Sequence, residues 1–340
     1  MIEDFKRAGS IEEAVSLSKQ GYVFLAGGTQ VNNAAYRASQ RATGRRPDPH
    51  TAEARRGGDV RPAPVTRVVS LDGLDLGGIS RDGDECVVGA GVTLQELADS
   101  PDVPEALRTA AGFIPTRSVR NVATVGGNVG AKRADSYVIP ALIALGARAE
   151  TAEGTSSVEE YVFGEDQVLI LRFRIPAVDG VCRAVKESRS HLALPVVSAA
   201  VRIAAARGGT GGAGGDAGGG PEPDAAPGAV RSATVVAGCV AERTVRLGSV
   251  EEGLRSGELL APERGGRGPA GASDAGARSN GAAGPGAPGS GASGWGALEE
   301  AIAAAIEPAS DFLGSAEFKR YENAVVIADC IRSCIREAGL

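Results

Sequence analysis

The chain predicts an α+β fold in two regions, and three patterns carry that prediction. Over residues 1–165, short β-branched runs alternate with short amphipathic segments across brief connections, the spacing of a mixed sheet-and-helix domain. Over residues 166–340, strongly apolar strands come first and helical patterns follow, as in an antiparallel sheet with covering helices. Two glycine pairs punctuate the first region, in Leu25-Ala26-Gly27-Gly28-Thr29-Gln30 and in Ala123-Thr124-Val125-Gly126-Gly127-Asn128.

The elements follow in order. Ser10-Ile11-Glu12-Glu13 is a capping box, in which hydroxyl and carboxylate satisfy each other's end of a helix start. The helix runs to about residue 19, with Gly21 as its stop. Residues 22–26 form a strand into the first glycine cluster, and residues 65–71 and 85–89 form two more. Thr93-Leu94-Gln95-Glu96 is a second capping box, opening a helix to residue 99. Residues 104–112 and 137–145 are helical, and residues 148–151 are a strand. The second region starts near Asp166. Strands are expected over 167–174, 181–186, 196–206 and 233–240, paired antiparallel, and helices over 249–255, 297–306 and 316–338.

Three segments, 37–64, 207–229 and 261–294, are dominated by Gly, Ala, Pro and small polar residues, with arginines in the first. They lack the bulky apolar residues needed to offset an ordering entropy of about 1–2 kcal/mol per residue. They are expected to be flexible insertions in surface loops, which closure entropy tolerates.

Bulk properties bound the function. Of 340 residues, 43% are hydrophobic but only 4% aromatic, so the cores are built from Ala, Val, Leu and Ile. A net charge of -6 without a dense basic face argues against nucleic acid as the primary partner. No run approaches the ~18 apolar residues of a membrane span, and the start Met1-Ile2-Glu3-Asp4-Phe5-Lys6 does not read as a signal peptide. A cytoplasmic protein is expected. The five cysteines form no Cys-x-x-Cys pair and there are two histidines, so a zinc or iron–sulfur site within this chain is not expected. Cys330 and Cys334 are read as small buried residues on one helix face. Redox chemistry would have to come from a bound organic cofactor.

Each glycine pair reads as a tight turn at a strand end. Such a turn lets the backbone approach a ligand, and its successive N–H groups can form an anion-binding concavity, helped by the flanking Thr hydroxyl. Two turns about a hundred residues apart would grip one diphosphate from two sides, which suits a dinucleotide.

These residues resemble the two flavin-binding loops of the FAD subunits of molybdenum hydroxylases, the medium subunits of xanthine dehydrogenases, aldehyde oxidoreductases and carbon monoxide dehydrogenases. Ser118-Val119-Arg120-Asn121 before the second loop and Pro140-Ala141-Leu142-Ile143-Ala144-Leu145-Gly146-Ala147 after it extend the likeness. Asp311-Phe312-Leu313-Gly314-Ser315-Ala316-Glu317-Phe318-Lys319-Arg320 resembles the signature of the family's C-terminal domain. The resemblance implies a PCMH/VAO-type FAD-binding region of two subdomains over 1–165 and a C-terminal antiparallel sheet with helices over 166–340. It implies FAD as cofactor, and as partners a molybdopterin-binding large subunit and a small subunit with [2Fe–2S] clusters. Electrons would pass from the clusters through the flavin to NAD⁺ or another acceptor.

By the same resemblance, Leu25, Ala26, Gly27, Gly28, Thr29, Gln30, Val31 and Asn32 wrap the pyrophosphate, and Thr124, Gly126, Gly127 and Asn128 hold it from the other side. Ile114 lies beside the cofactor, Lys186 and Arg189 near the isoalloxazine ring, and Leu194 against it. No general acid or base is implied. The chain departs from the family at Gln30, where Asp is usual. It departs again after the second loop, where a Ser-Pro-x-x-Asp stretch is replaced by Ala131-Lys132-Arg133-Ala134-Asp135-Ser136-Tyr137. Asp135 or Ser136 would substitute for the missing Asp, or Lys132 and Arg133 would bind phosphate instead. These changes resemble a divergent branch of the family. Two other readings compete: a self-standing flavin oxidase using His191, and an assembly subunit without flavin.

Overall fold

The computed structural model describes residues 2–31, 65–165, 168–206, 229–260 and 296–340. The three expected insertions therefore lie almost wholly outside the described residues, as does Asn32.

The first unit is a small parallel sheet. β1 (Asp4–Arg7) and β2 (Val23–Leu25) flank β3 (Arg67–Ser70), and α1 (Ile11–Lys19) makes the crossover from β1 to β2. Ser10 caps α1 as expected, accepting from Glu13 N at 3.2 Å. The returning bond is displaced by one residue, since the Glu13 carboxylate takes the N–H of Gly9 at 2.8 Å. Ala14, Leu17, Tyr22 and Val69 close the core between helix and sheet.

The second unit is a five-stranded antiparallel sheet of β4 (Ile79–Asp82), β5 (Glu85–Gly89), β6 (Arg148–Thr151), β7 (Gly154–Ser157) and β8 (Ile170–Ile175), in the order β4-β5-β8-β6-β7. Six helices pack with it: α2 (Leu94–Asp99), α3 (Glu105–Gly112), α4 (Arg117–Arg120), α5 (Val125–Gly130), α6 (Val138–Ala144) and α7 (Val158–Phe163). The capping box at Thr93 is complete, and a second complete one at Ser157 starts α7. All seven residues of α6 are buried; a helix apolar all round belongs at the centre of a core.

The third unit is an antiparallel sheet in the order β12-β11-β10-β9, formed by β9 (Val181–Glu187), β10 (Val197–Ala205), β11 (Val230–Gly238) and β12 (Val245–Arg246). It is covered by α8 (Gly248–Arg255), α9 (Ala297–Ala304) and α10 (Ala316–Glu337). Its central strands read as continuous apolar runs because both faces are buried. Alternate residues serve different cores. Ala200 and Val236 pack into the core around α6, while Val201 and Val235 pack into the core beneath α8 and α10. The sheet is thus the wall shared by the two halves. Cys330 and Cys334 are buried on the sheet-facing side of α10, with Cys334 Sγ 3.8 Å from Val201 O.

Two expectations change. The strand expected over 167–174 does not pair with the strands after it. As β8 it inserts between β5 and β6, with Phe173 opposite both Val88 and Ala149. Its alternation shows which face is apolar but carries no information about its neighbour. The second glycine cluster is not a strand-end turn: it is the first turn of α5, capped by Thr124, with Val125 and Val129 fully buried on one face. Burial of that i, i+4 pair outweighs the poor helix propensity of two glycines.

Candidate functional site

Both glycine clusters line one cavity of about 410 Å³, a size in the range of small-molecule sites. β2 delivers the first loop. Leu25 O takes the last sheet bond, from Leu71 N at 2.9 Å, and the chain then leaves the sheet through residues 26–31. None of the backbone N–H groups of residues 26–31 donates to another described residue. The second loop is bonded throughout. Val125 N donates to Val92 O and Gly126 N to Ala90 O, both at 2.9 Å. Gly127 N donates to Thr124 Oγ1 at 3.1 Å, and Asn128 N to Thr124 O at 2.9 Å. The two loops are therefore unlike. The first offers backbone donors, and the second offers the Thr124 hydroxyl and the Asn128 amide.

The glycines also serve a purpose different from the one expected. A Cβ on Gly27 would lie 2.6 Å from the Val122 carbonyl carbon, and one on Gly126 2.6 Å from Ala90 Cβ. The missing side chains thus let loop one approach the segment before loop two, and let loop two approach the exit of β5. They bring protein backbones together, and the space for a ligand is the result.

The lining suits a dinucleotide. Leu74, Leu76, Leu169 and Ile170 give an apolar wall. No lysine or arginine lines the cavity among the described residues, so a diphosphate here would be held by oriented N–H dipoles. Gln30 Oε1 is buried and has no hydrogen-bond partner among the described residues, an orphan acceptor of the kind a ligand donor satisfies. The one acidic lining residue among the described residues, Asp72, is held by Arg7 at 3.0 Å.

The remaining expected residues lie outside this lining. Lys186 Nζ donates to Phe113 O at 3.1 Å and sits over the Phe113 and Tyr137 rings, at 5.5 and 5.7 Å from their centroids. Ile114 adjoins this group, and its carbonyl accepts from Arg120. Leu194 is 42% exposed, and Arg189 and His191 are exposed on the same segment. Asp135 receives both arms of the Arg133 guanidinium, with Nε to Oδ1 at 2.7 Å. Lys132 Nζ donates to Gly164 O at 2.8 Å and lies over the Tyr161 ring. The cations and the carboxylate of the divergent stretch thus engage protein groups. Burial pushes the Tyr137 hydroxyl above its ordinary range.

Sequence reading missed part of the wall: Leu74, Leu76 and Gly77 after β3, Ala90 and Gly91 after β5, and Tyr161 on α7. The Asp72-Gly73 and Gly89-Ala90-Gly91 stretches were the available signals, since such residues mark turns that bring backbone close. Among the described residues, no group of three or more His, Cys, Asp or Glu side chains is placed to hold a metal ion, and no helix is long and apolar enough to cross a membrane.

Residues 58–178 match the family described as the FAD-binding domain in molybdopterin dehydrogenase. The uncharacterized protein YgfM of Escherichia coli K12 is 29% identical over 343 residues, covering 100% of this chain and 98% of that protein. Among solved structures, CO dehydrogenase from Oligotropha carboxidovorans superposes with a TM-score of 0.66 at 18% identity, covering 99% of each chain. Quinoline 2-oxidoreductase from Pseudomonas putida 86 gives 0.65 at 16% identity, covering 99% of this chain and 98% of that one. At these identities the structural likeness is one of fold. Residues 58–178 thus match an FAD-binding domain, and over the rest of the chain the likeness is one of fold.

Proposed function

We propose that this chain binds FAD between its two glycine loops and serves as the electron-transfer subunit of a molybdenum hydroxylase complex. The observation that carries the reading is the convergence of both loops on one cavity, with the N–H groups of residues 26–31 making no bond to another described residue. Those donors hold the pyrophosphate, Thr124 and Asn128 grip it from the opposite side, and Gln30 Oε1 accepts from a cofactor hydroxyl. Bound FAD supplies the redox chemistry, taking electrons from the [2Fe–2S] clusters of a small partner subunit and giving them to NAD⁺ or another acceptor. The chain's own work is to position, neutralise and exclude water, and no side chain is assigned as acid or base.

The partners are a molybdopterin-binding subunit and an iron–sulfur subunit, in a cytoplasmic complex of xanthine dehydrogenase-like organisation. In this reading Ile114, Lys186 and Leu194 face the flavin ring, beyond the residues that line the cavity. Residues 1–165 together with β8 form the FAD-binding unit, and the following residues to 340 form the C-terminal unit. No observation favours a self-standing oxidase, since His191 is exposed on the segment after β9.

The test is direct. The purified full chain, titrated with FAD, should quench flavin fluorescence at a one-to-one ratio and retain the flavin absorption bands on gel filtration. A chain that carries no flavin and takes none up overturns the reading.

A further inference from the structure

Asn128 lines the cavity, and an amide can turn either an oxygen or an NH₂ toward a ligand. Its environment decides which. Asn128 Oδ1 lies 2.6 Å from Ser136 Oγ, and Ser136 Oγ also accepts the backbone N–H of Ile139 at 3.1 Å. Ser136 is 5% exposed, so its single proton must be donated within the protein. Donation to Asn128 Oδ1 satisfies every group. With the amide turned over, the hydroxyl would accept twice and its proton would be buried without an acceptor, which is costly. The amide NH₂ makes no bond to another described residue, so it is the group left for a ligand.

Ser136 is itself fixed from the other half of the molecule. Ser198 Oγ on β10, 1% exposed, donates to Ser136 O at 2.8 Å. Next to it, the Ala134 carbonyl accepts Cys239 N at 2.9 Å and lies 3.8 Å from Cys239 Sγ, with Cys239 in the left-handed region at φ 62°. The divergent stretch is therefore clamped to the ends of β10 and β11 and delivers one hydroxyl to the second glycine loop.

We propose that Ser136 is a positioning residue that locks Asn128 with its NH₂ toward the diphosphate, in place of the direct carboxylate contact that this chain lacks. The inference rests on the FAD reading above. It deepens that reading by making the amide a donor to an anion.

The experiment measures binding of FAD and of ADP, which carries the same diphosphate, to the full chain by calorimetry. Melting temperatures are recorded alongside. Ser136→Ala should weaken both ligands roughly threefold to tenfold, the loss expected for one hydrogen bond. In the Asn128→Ala background it should have no further effect. Asn128→Asp, which replaces the donor by a charged acceptor, should bind ADP more weakly than Asn128→Ala. Ser136→Thr, which keeps the hydroxyl, should restore affinity. Ser136→Ala with unchanged affinity, an effect that adds in full to that of Asn128→Ala, or Asn128→Asp binding as well as the unaltered chain each overturns the inference. If the unaltered chain binds neither FAD nor ADP, the functional reading falls and this inference with it.

Discussion

Gly27→Ala tests the claim that the cavity exists because backbones approach where side chains are missing. The added Cβ would sit 2.6 Å from the Val122 carbonyl carbon, closer still to its oxygen, and 3.2 Å from Ala123 Cα. Real Cβ contacts below 3.0 Å essentially never occur, and the obstacle is backbone, which cannot swing aside as a side chain can. The first loop must then separate from the segment leading into α5, whose own bonds to Ala90, Val92 and Leu94 resist movement. Overpacking of this kind costs about 1–3 kcal/mol. If the loops separate only in the bound state, that is roughly 5- to 150-fold in the FAD dissociation constant. If they separate in both states, the cost is in unfolding free energy instead. Fluorescence titration with FAD and urea denaturation of the same preparation measure the two together. Gly112→Ala, at the end of α3 with nothing within 4 Å of the new Cβ, should leave affinity unchanged and stability equal or higher. A Gly27→Ala chain with unaltered affinity and unaltered stability would refute the reasoning.

Asp135→Asn should leave FAD affinity unchanged, because the carboxylate is committed to Arg133; a large rise in the dissociation constant would return Asp135 to the cofactor. Lys319→Met removes a buried ammonium held by Asp311 Oδ1 at 2.7 Å and Ala309 O at 3.0 Å. Because Asp311 keeps some solvent contact, the expected destabilisation is about 2–4 kcal/mol, read from urea midpoints, and an unchanged midpoint contradicts it. Burial pushes the Cys182 thiol from its ordinary 9.0 up to about 12, and moves Cys86 and Cys239 in the same direction. The unfolded chain ionises these thiols first, so stability is full below pH 9 and declines as pH rises from 9 toward 12; a urea midpoint that stays constant through that window would count against their burial. With no cation among the described lining residues, FAD affinity should change little with added salt, and a steep loss would mean that lysines or arginines hold the phosphates.

What the sequence made legible was local. The capping box at Thr93 and the bounds of β5 and β6 lie where the residues place them, because each depends on groups within four positions. The equally complete box at Ser157 was overlooked, although Ser157 and Glu160 stand at the right spacing. The neighbour of β8 was not legible at all. Its Ile-Leu-Arg-Phe-Arg-Ile alternation would suit a place in either sheet, and the choice depends on residues about 20 and 90 positions away in β6 and β5.

The two glycine clusters separate local from non-local information most clearly. From composition they look equivalent, two turns with hydroxyls beside them. Their difference arises largely from partners distant in sequence: loop two spends its N–H groups on Ala90, Val92 and its own Thr124, while those of loop one have no partner among the described residues. A helix start that has committed its donors cannot repeat what a free loop does, so its contribution passes to side chains. Of these, Asn128 is aimed by a hydroxyl eight residues on, which is itself held by a strand more than sixty residues further. On the proposed reading, the chain meets one diphosphate with backbone on one side and an oriented amide on the other. The stretch that departs most from the family pattern is the one that does the orienting.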